Sequence, residues 1–341
     1  MYQLPQKDLN EITNRLGKDI FALSGKNLFL TGATGFIGKC ILESLLWMDE
    51  QFDLDIKIYA ISRSPNSFYK ANPHFLTKKQ LFIFESDVRG DLSKLDIPPC
   101  HYVIHGATDV VLQSSPADVF TTCVDGTSKV LSYARTLGCK KFLLLSSGAV
   151  YGKHSDEAGG FPETYKGQID LEAAGSAYAL GKQVSEWLAN QHKNSMDINI
   201  VRCFALVGPY LPLDKHFAIG NFIKDAIAGR DIQINGDGTP LRSYLYVSDL
   251  CWWLLKILLS NKSGTWNLGS NEALTISDLA DVVRRVLNPN IKVNINGKNQ
   301  GNFERYIPNI SKANFDLGLT PTVSLVEAIQ RTADWNLKNV N

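Results

Sequence analysis

Apolar residues recur along this chain in two rhythms. Between residues 8 and 23 they fall at helical spacing (Leu9, Ile12, Leu16, Ile20, Leu23), which predicts an amphipathic helix with Asp8 available as its cap and Ser24-Gly25-Lys26 as its end. NLFLT (27–31) is a short, continuous apolar run, the pattern of a strand buried on both faces. GATGFIG follows and opens a helix with apolar positions at Ile41, Leu42, Leu45 and Leu46. Further strands are predicted at IKIYAIS (56–62), LFIFESD (81–87), HYVIHGA (101–107), KFLLLSS (141–147) and INIVRCF (198–204), with helices at 117–137 and 176–193. Strands separated by helices of this length predict an α/β fold, a doubly wound parallel sheet of Rossmann type with helices on both faces.

From about Gly208 the texture changes, and prolines and glycines punctuate shorter elements. Helices near 216–228, 248–260, 275–287 and 323–336, with strands at 231–234 and 291–295, predict a smaller C-terminal α/β lobe. The expected division is a helical extension over 1–25, a dinucleotide-binding domain over 26–207 to which 240–262 returns, and a substrate lobe over 208–239 and 263–341. Ligands of such sheets bind beyond the carboxyl ends of the strands, so the lobe is expected to form the other wall of the site.

Composition narrows the function classes. The 341 residues are 44% hydrophobic and 20% charged with a formal net charge of +1, so no strong field favours nucleic acid or an anionic membrane as partner. Six widely spaced cysteines lack any CxxC pair and suggest neither a disulfide framework nor a metal site. MYQLPQKDLNEITNRLG is too polar for a secretory signal, and the most apolar stretch, Leu250 to Leu259, is ten residues long and contains Lys256. A soluble, cytoplasmic protein is expected.

The first chemistry is in the turn after the first strand. Gly32, Gly35 and Gly38 suit a tight turn, a close approach of backbone N–H groups to a pyrophosphate, and close packing of helix on strand. With Thr34, Phe36 and Ile37 they form the expected cradle of a dinucleotide; a plain structural turn is the alternative reading. The second strand ends Ser62-Arg63-Ser64, with no carboxylate to hold an unmodified ribose. Arg63 suits a 2′-phosphate, so NADP(H) is favoured over NAD(H), unless Arg63 is a solvated loop residue. Asp87-Val88, after the third strand, are positioned to meet the adenine, although Asp87 could equally shape a turn.

Tyr178 and Lys182 lie four apart on a predicted helix and share one face. A nearby ammonium favours the phenolate, which makes the tyrosine a general acid/base near neutral pH. A YxxxK spacing by itself arises roughly once by chance in such a chain. Here it follows a strand ending Ser146-Ser147, and Ser147 is placed to hydrogen-bond a substrate hydroxyl or carbonyl.

Taken in order, TGATGFIG (31–38), VIHGAT (103–108), VDGT (124–127), LLSSGAVYG (144–152), YALGK (178–182), GDGTPLRSYLYVSDL (236–250) and WNLGS (266–270) resemble the extended short-chain dehydrogenases that modify nucleotide-diphosphate sugars. The resemblance implies further roles. Gly106, Ala107 and Thr108 would border the nicotinamide, Thr108 also touching the sugar. Arg242 would grip the donor's diphosphate and Arg305 would make a second phosphate contact, though either could be a surface ion-pair residue. Pairing into a homodimer through the helices at 117–137 and 176–193 is also implied.

Two departures from the family's pattern shape the expected reaction. The 4,6-dehydratases carry an Asp-Glu pair directly after the catalytic Ser/Thr, where this chain has Gly148 and Ala149. An asparagine that usually contacts the substrate is replaced by Ala205. An NADPH-dependent 4-keto reductase is therefore the leading expectation and a C4 epimerase with tightly bound NAD(P) the alternative. A 4,6-dehydratase ranks behind both, and a non-catalytic NADP(H)-binding regulator is the reading from a different class.

Overall fold

The computed structural model describes residues 2–108, 114–152, 160–215, 217–297 and 304–339. Its N-terminal half alternates as the apolar rhythm implies: α1 (Gln6–Leu16), β1 (Asn27–Thr31), α2 (Phe36–Phe52), β2 (Lys57–Ser62), α3 (Pro65–Ala71), β3 (Leu81–Glu85), β4 (Tyr102–His105), α4 (Pro116–Thr136), β5 (Lys141–Ser147), α5 (Ala177–Asn190) and β6 (Asp197–Cys203). Seven strands form the central sheet in the order Gly264–Leu268, β6, β5, β4, β1, β2, β3. β1 pairs in parallel with β2 and β4, β2 with β3, and β4 with β5. The winding therefore reverses between β1 and β4, and a crevice opens at such a switch point beyond the strand ends.

One face of this sheet packs on α4 and α5. Phe29, Val103, Phe142, Leu144, Ile198 and Ile200 from the strands meet Val130, Leu131, Tyr133 and Ala134 of α4 and Ala189 of α5 in one buried cluster. Each Val, Leu, Ile or Phe among them contributes roughly 1.5–3 kcal/mol by leaving water. The two helices approach closely because α5 carries Gly181 against α4; a Cβ there would lie 2.8 Å from that of Cys123.

The chain separates into two compact units. The first comprises residues 1–150, 169–202 and 251–266, the second 151–168, 203–250 and 267–341. The first 25 residues are thus part of the sheet-bearing unit and no separate extension. Buried Glu43 of α2 accepts from the backbone N–H groups of Gln3 at 3.1 Å and Leu4 at 2.6 Å, and pairs with His74 at 2.7 Å. The segment returning to this unit is 251–266, whose strand Gly264–Leu268 was not anticipated, while 151–168 leaves it. The helix expected over 8–23 stops at Leu16 because Gly17 turns at φ 52°, and 17–23 continue as a tighter 3-10 helix. Pro5, not Asp8, occupies its cap position, and Asp8 is buried in the first turn.

In the second unit, helices Ala218–Ile227, Ile276–Leu287 and Leu325–Asn339 accompany three small sheets. Thr275 and Asp278 close a reciprocal capping box at the start of the second helix. Tyr151 donates to Asn267 at 2.7 Å, and the Asn267 amide donates to the carbonyls of Phe161 and Asn309. Among the described residues no helix is long and apolar enough to cross a membrane. All six cysteines are buried, free thiols.

Candidate active site

The glycine turn begins where β1 ends. Gly32 has φ 75°, a backbone conformation that favours glycine, and a Cβ there would come within 2.5 Å of Gly106 C. A Cβ on Gly38 would run into the Gly32 carbonyl, so α2 starts tight against the turn. Gly35 stands at the N-cap of α2, which has no side-chain cap and no acidic residue in its first turn. Its leading N–H groups and the positive end of its dipole are therefore left for an anion. This cradle fits a dinucleotide pyrophosphate at Thr34, Gly35, Phe36 and Ile37, and the bound cofactor would supply a nicotinamide for hydride transfer.

At the other end of the cofactor position, Arg63 and Ser64 are exposed at the tip of β2, and Ser62 Oγ accepts from Ser64 N at 3.2 Å. Asp87 is held by Arg89, whose backbone N–H donates to it at 2.8 Å and whose guanidinium donates at 3.2 and 3.1 Å. These bonds, reinforced by the Arg63 charge, hold its carboxyl below the usual range. The turn-shaping role is the one the geometry gives Asp87, and Val88 belongs to the buried core against Gly126. Thr108 Oγ1 lies 3.4 Å from the Cys123 thiol.

β5 ends on buried Ser147, whose Oγ accepts from Ala149 N at 3.1 Å. Tyr178 sits half-buried in the first turn of α5 and Lys182 one turn on. The Lys182 ammonium is buried, donates to the Leu145 carbonyl at 2.8 Å and stands 5.9 Å from the Tyr178 ring centre. It is thus anchored to the strand that carries Ser147, one turn of α5 from Tyr178.

Sequence reasoning missed the groups beneath this set. Glu186, one further turn along α5, is buried, accepts from Ser146 Oγ at 2.5 Å and takes a two-pronged grip from Arg202 at 2.9 and 2.7 Å. Its spacing of four from Lys182 was the available signal. His105 was also missed. It is buried between Thr31 and Thr127, and burial, reinforced by the Lys182 charge, pushes its pKa down to about 3.

In the second unit Arg242 pairs with Glu304 at 3.0 Å and lies 5.9 Å from the Tyr306 ring centre. Arg242 stands opposite Tyr306 and Arg305 opposite Leu241 on neighbouring parallel strands. Side chains alternate along a strand, so the two arginines leave opposite faces of this small sheet. Arg242 has taken the ion-pair partner that its alternative reading allowed.

Residues 28–269 match the family described as the NAD dependent epimerase/dehydratase family. The chain belongs to this family. It is an NAD(P)-dependent enzyme of the extended short-chain dehydrogenase type. UDP-glucuronic acid decarboxylase 1 of Arabidopsis thaliana is 28% identical over 309 residues, covering 89% of this chain and 68% of that protein. UDP-N-acetylglucosamine 4-epimerase of Methanobrevibacter ruminantium, solved with UDP-N-acetylmuramic acid, is 25% identical with a TM-score of 0.77 over 92% of this chain and 99% of that one. UDP-glucuronic acid 4-epimerase of Bacillus cereus, solved with NAD, is 26% identical with a TM-score of 0.74 over 91% and 96%. The fold is accordingly that of the nucleotide-sugar epimerases and dehydratases.

Proposed function

We propose that the chain reduces the 4-keto group of a nucleotide-diphosphate hexose with NADPH. The observation that carries the reading is an intact Ser147, Tyr178 and Lys182 beside Gly148 and Ala149, which have no ionisable side chain. Elimination of water needs a proton donor and acceptor beside the sugar, and these two positions supply neither. Carbonyl reduction asks only for one proton at the C4 oxygen alongside the hydride that a bound nicotinamide supplies. Tyr178 delivers that proton, Ser147 Oγ donates a hydrogen bond to the same oxygen, and Lys182 sustains the phenolate. Arg63, with Ser62 and Ser64, supports a 2′-phosphate and hence NADPH. Arg242 is the candidate for the diphosphate, exchanging Glu304 for it, and Arg305, on the opposite face of the same small sheet, would not grip that group alongside it.

A second reading is supported by the relatives, which are named as 4-epimerases and a decarboxylase, one of them solved with NAD. In that reading the same three residues oxidise and re-reduce C4 with no net change of cofactor. Incubation of the purified chain with NADPH and a nucleotide-linked 4-keto-6-deoxyhexose should consume NADPH in step with product. Conversion of a UDP-hexose or UDP-uronic acid without net cofactor change would replace the first reading with the second. Inactivity toward all of these would overturn both.

We further propose a homodimer paired through α4 and α5. On α5 Trp187 is 61% exposed, and Leu180 and Val184 at helical spacing are only partly covered. Light scattering should give twice the chain mass of 37.8 kDa, and Trp187→Glu should shift it to the monomer.

A further inference from the structure

β1 and β4, the strands flanking the switch point, end side by side on Thr31 and His105. Both side chains are buried, as are Thr127 of α4 and Ser185 of α5. His105 Nδ1 lies 2.6 Å from Thr31 Oγ1, and Nε2 lies 3.0 Å from Thr127 Oγ1. Thr127 Oγ1 is 3.0 Å from Ser185 Oγ, which is 2.9 Å from the Cys123 carbonyl and 2.8 Å from the Gly181 carbonyl. At the other end, Ala107 N–H donates to Thr31 Oγ1 at 3.2 Å.

Counting protons orders the whole chain. A carbonyl only accepts, so Ser185 spends its single hydroxyl proton on the backbone and must accept from Thr127. Thr127 has then spent its own proton and must accept from an N–H at His105 Nε2. A neutral imidazole protonated at Nε2 is bare at Nδ1, so Thr31 donates there. Thr31 is left to accept from Ala107 N–H. The hydroxyl and ring protons then run in one direction, from the loop after β4 through Thr31, His105 and Thr127 to Ser185, whose own proton goes to the Cys123 or the Gly181 carbonyl.

We propose that His105, neutral and protonated at Nε2, is a positioning residue that holds the cofactor-facing loop Gly106–Thr108 in register with the turn of α5 carrying Tyr178 and Lys182. This rests on the reading of that loop and that turn as the nicotinamide and proton-transfer sides of one site. The chain joins three separate elements at the switch point through a single ring. Loss of one link leaves buried polar groups unpaired on both sides of it. Thr108, held against the Cys123 thiol, ties the same loop to α4 at a second point.

The test uses the full-length protein labelled with ¹⁵N-histidine, the His105 signals being assigned by their loss in His105→Gln. The relay requires the Nε2–H tautomer at neutral pH; an Nδ1–H tautomer or a charged ring overturns it. Fluorescence titration with NADPH then compares Thr127→Val, which removes the acceptor while keeping the shape, with Thr127→Ser, which restores it. The valine variant should bind about tenfold more weakly, equivalent to about 1.4 kcal/mol, and the serine variant close to wild type. Equal affinity in the valine and serine variants, both showing the native near-ultraviolet circular dichroism, overturns the positioning role. Neither readout requires turnover, so inactivity toward nucleotide sugars would sink the proposed reaction and leave the relay standing.

Discussion

Arg202 grips the Glu186 carboxylate at 2.7 Å, with both side chains largely out of solvent, while Ser146 Oγ donates to the same carboxylate at 2.5 Å. The pair is therefore a brace behind the helix that carries Tyr178 and Lys182. It fixes α5 against β5 at the residue before Ser147 and one turn beyond Lys182.

Breaking a buried pair from one side strands a charge. Arg202→Met is expected to destabilise the fold by about 3–5 kcal/mol, whereas Arg202→Met combined with Glu186→Leu should recover most of that loss. Urea unfolding of the two single variants and the double variant closes the cycle. Additive losses would show that the two side chains do not act as a unit.

Tyr178→Phe removes the phenolic proton and leaves the ring over which Lys182 sits at 5.9 Å. Turnover should fall by two to four orders of magnitude, roughly the contribution of a positioned acid/base, while cofactor affinity stays near wild type. Single-turnover kinetics beside a cofactor titration separate the two effects. Near-normal turnover would remove Tyr178 from the chemistry.

Gly32 allows no side chain. Alanine there would set a Cβ 2.5 Å from Gly106 C and 2.7 Å from Ala107 N in a backbone at φ 75°. Gly32→Ala is expected to abolish dinucleotide binding and to lower the melting temperature by several degrees, since the neighbouring atoms are backbone. Gly25 has φ 65° with open space around it, so Gly25→Ala should cost stability alone and leave cofactor affinity intact.

Local features were the legible ones. The Gly32–Gly38 turn and the Tyr178–Lys182 spacing lie within single elements, so sequence spacing reports their geometry. The supports of the site depend on pairings that spacing does not encode. Phe29 and Thr31, Val103 and His105, and Phe142, Leu144 and Ser146 share a face by the two-residue period, so three neighbouring strands each end that face on a polar group. Within the strands these residues read as the tail of an apolar run. Their partners Thr127, Ser185 and Glu186 come from helices, the bonded pairs lying 22, 58 and 40 residues apart along the chain, and only the adjacency of β1, β4 and β5 brings them together. Arg242 was legible as a cation, but Glu304 was invisible as its partner because the pairing follows from the register of two-residue strands.

His105 makes stability depend on pH with a definite sign. Its folded pKa of about 3 lies below the ordinary value of 6.5, because burial and then the Lys182 charge oppose protonation. Between those values the unfolded chain binds a proton that the folded chain refuses, so stability is complete above pH 6.5 and declines as pH falls toward 3. By pH 5 the loss from this one group is about 2 kcal/mol, at about 1.4 kcal/mol per pH unit. His101 and His192, also held below their ordinary values by burial, add losses of the same sign. The measurement is therefore a difference: urea midpoints of wild type and His105→Gln at pH 7.5 and pH 5. The variant, less stable at the higher pH, should lose less on acidification than wild type; parallel losses would mean that His105 takes up its proton in the folded state.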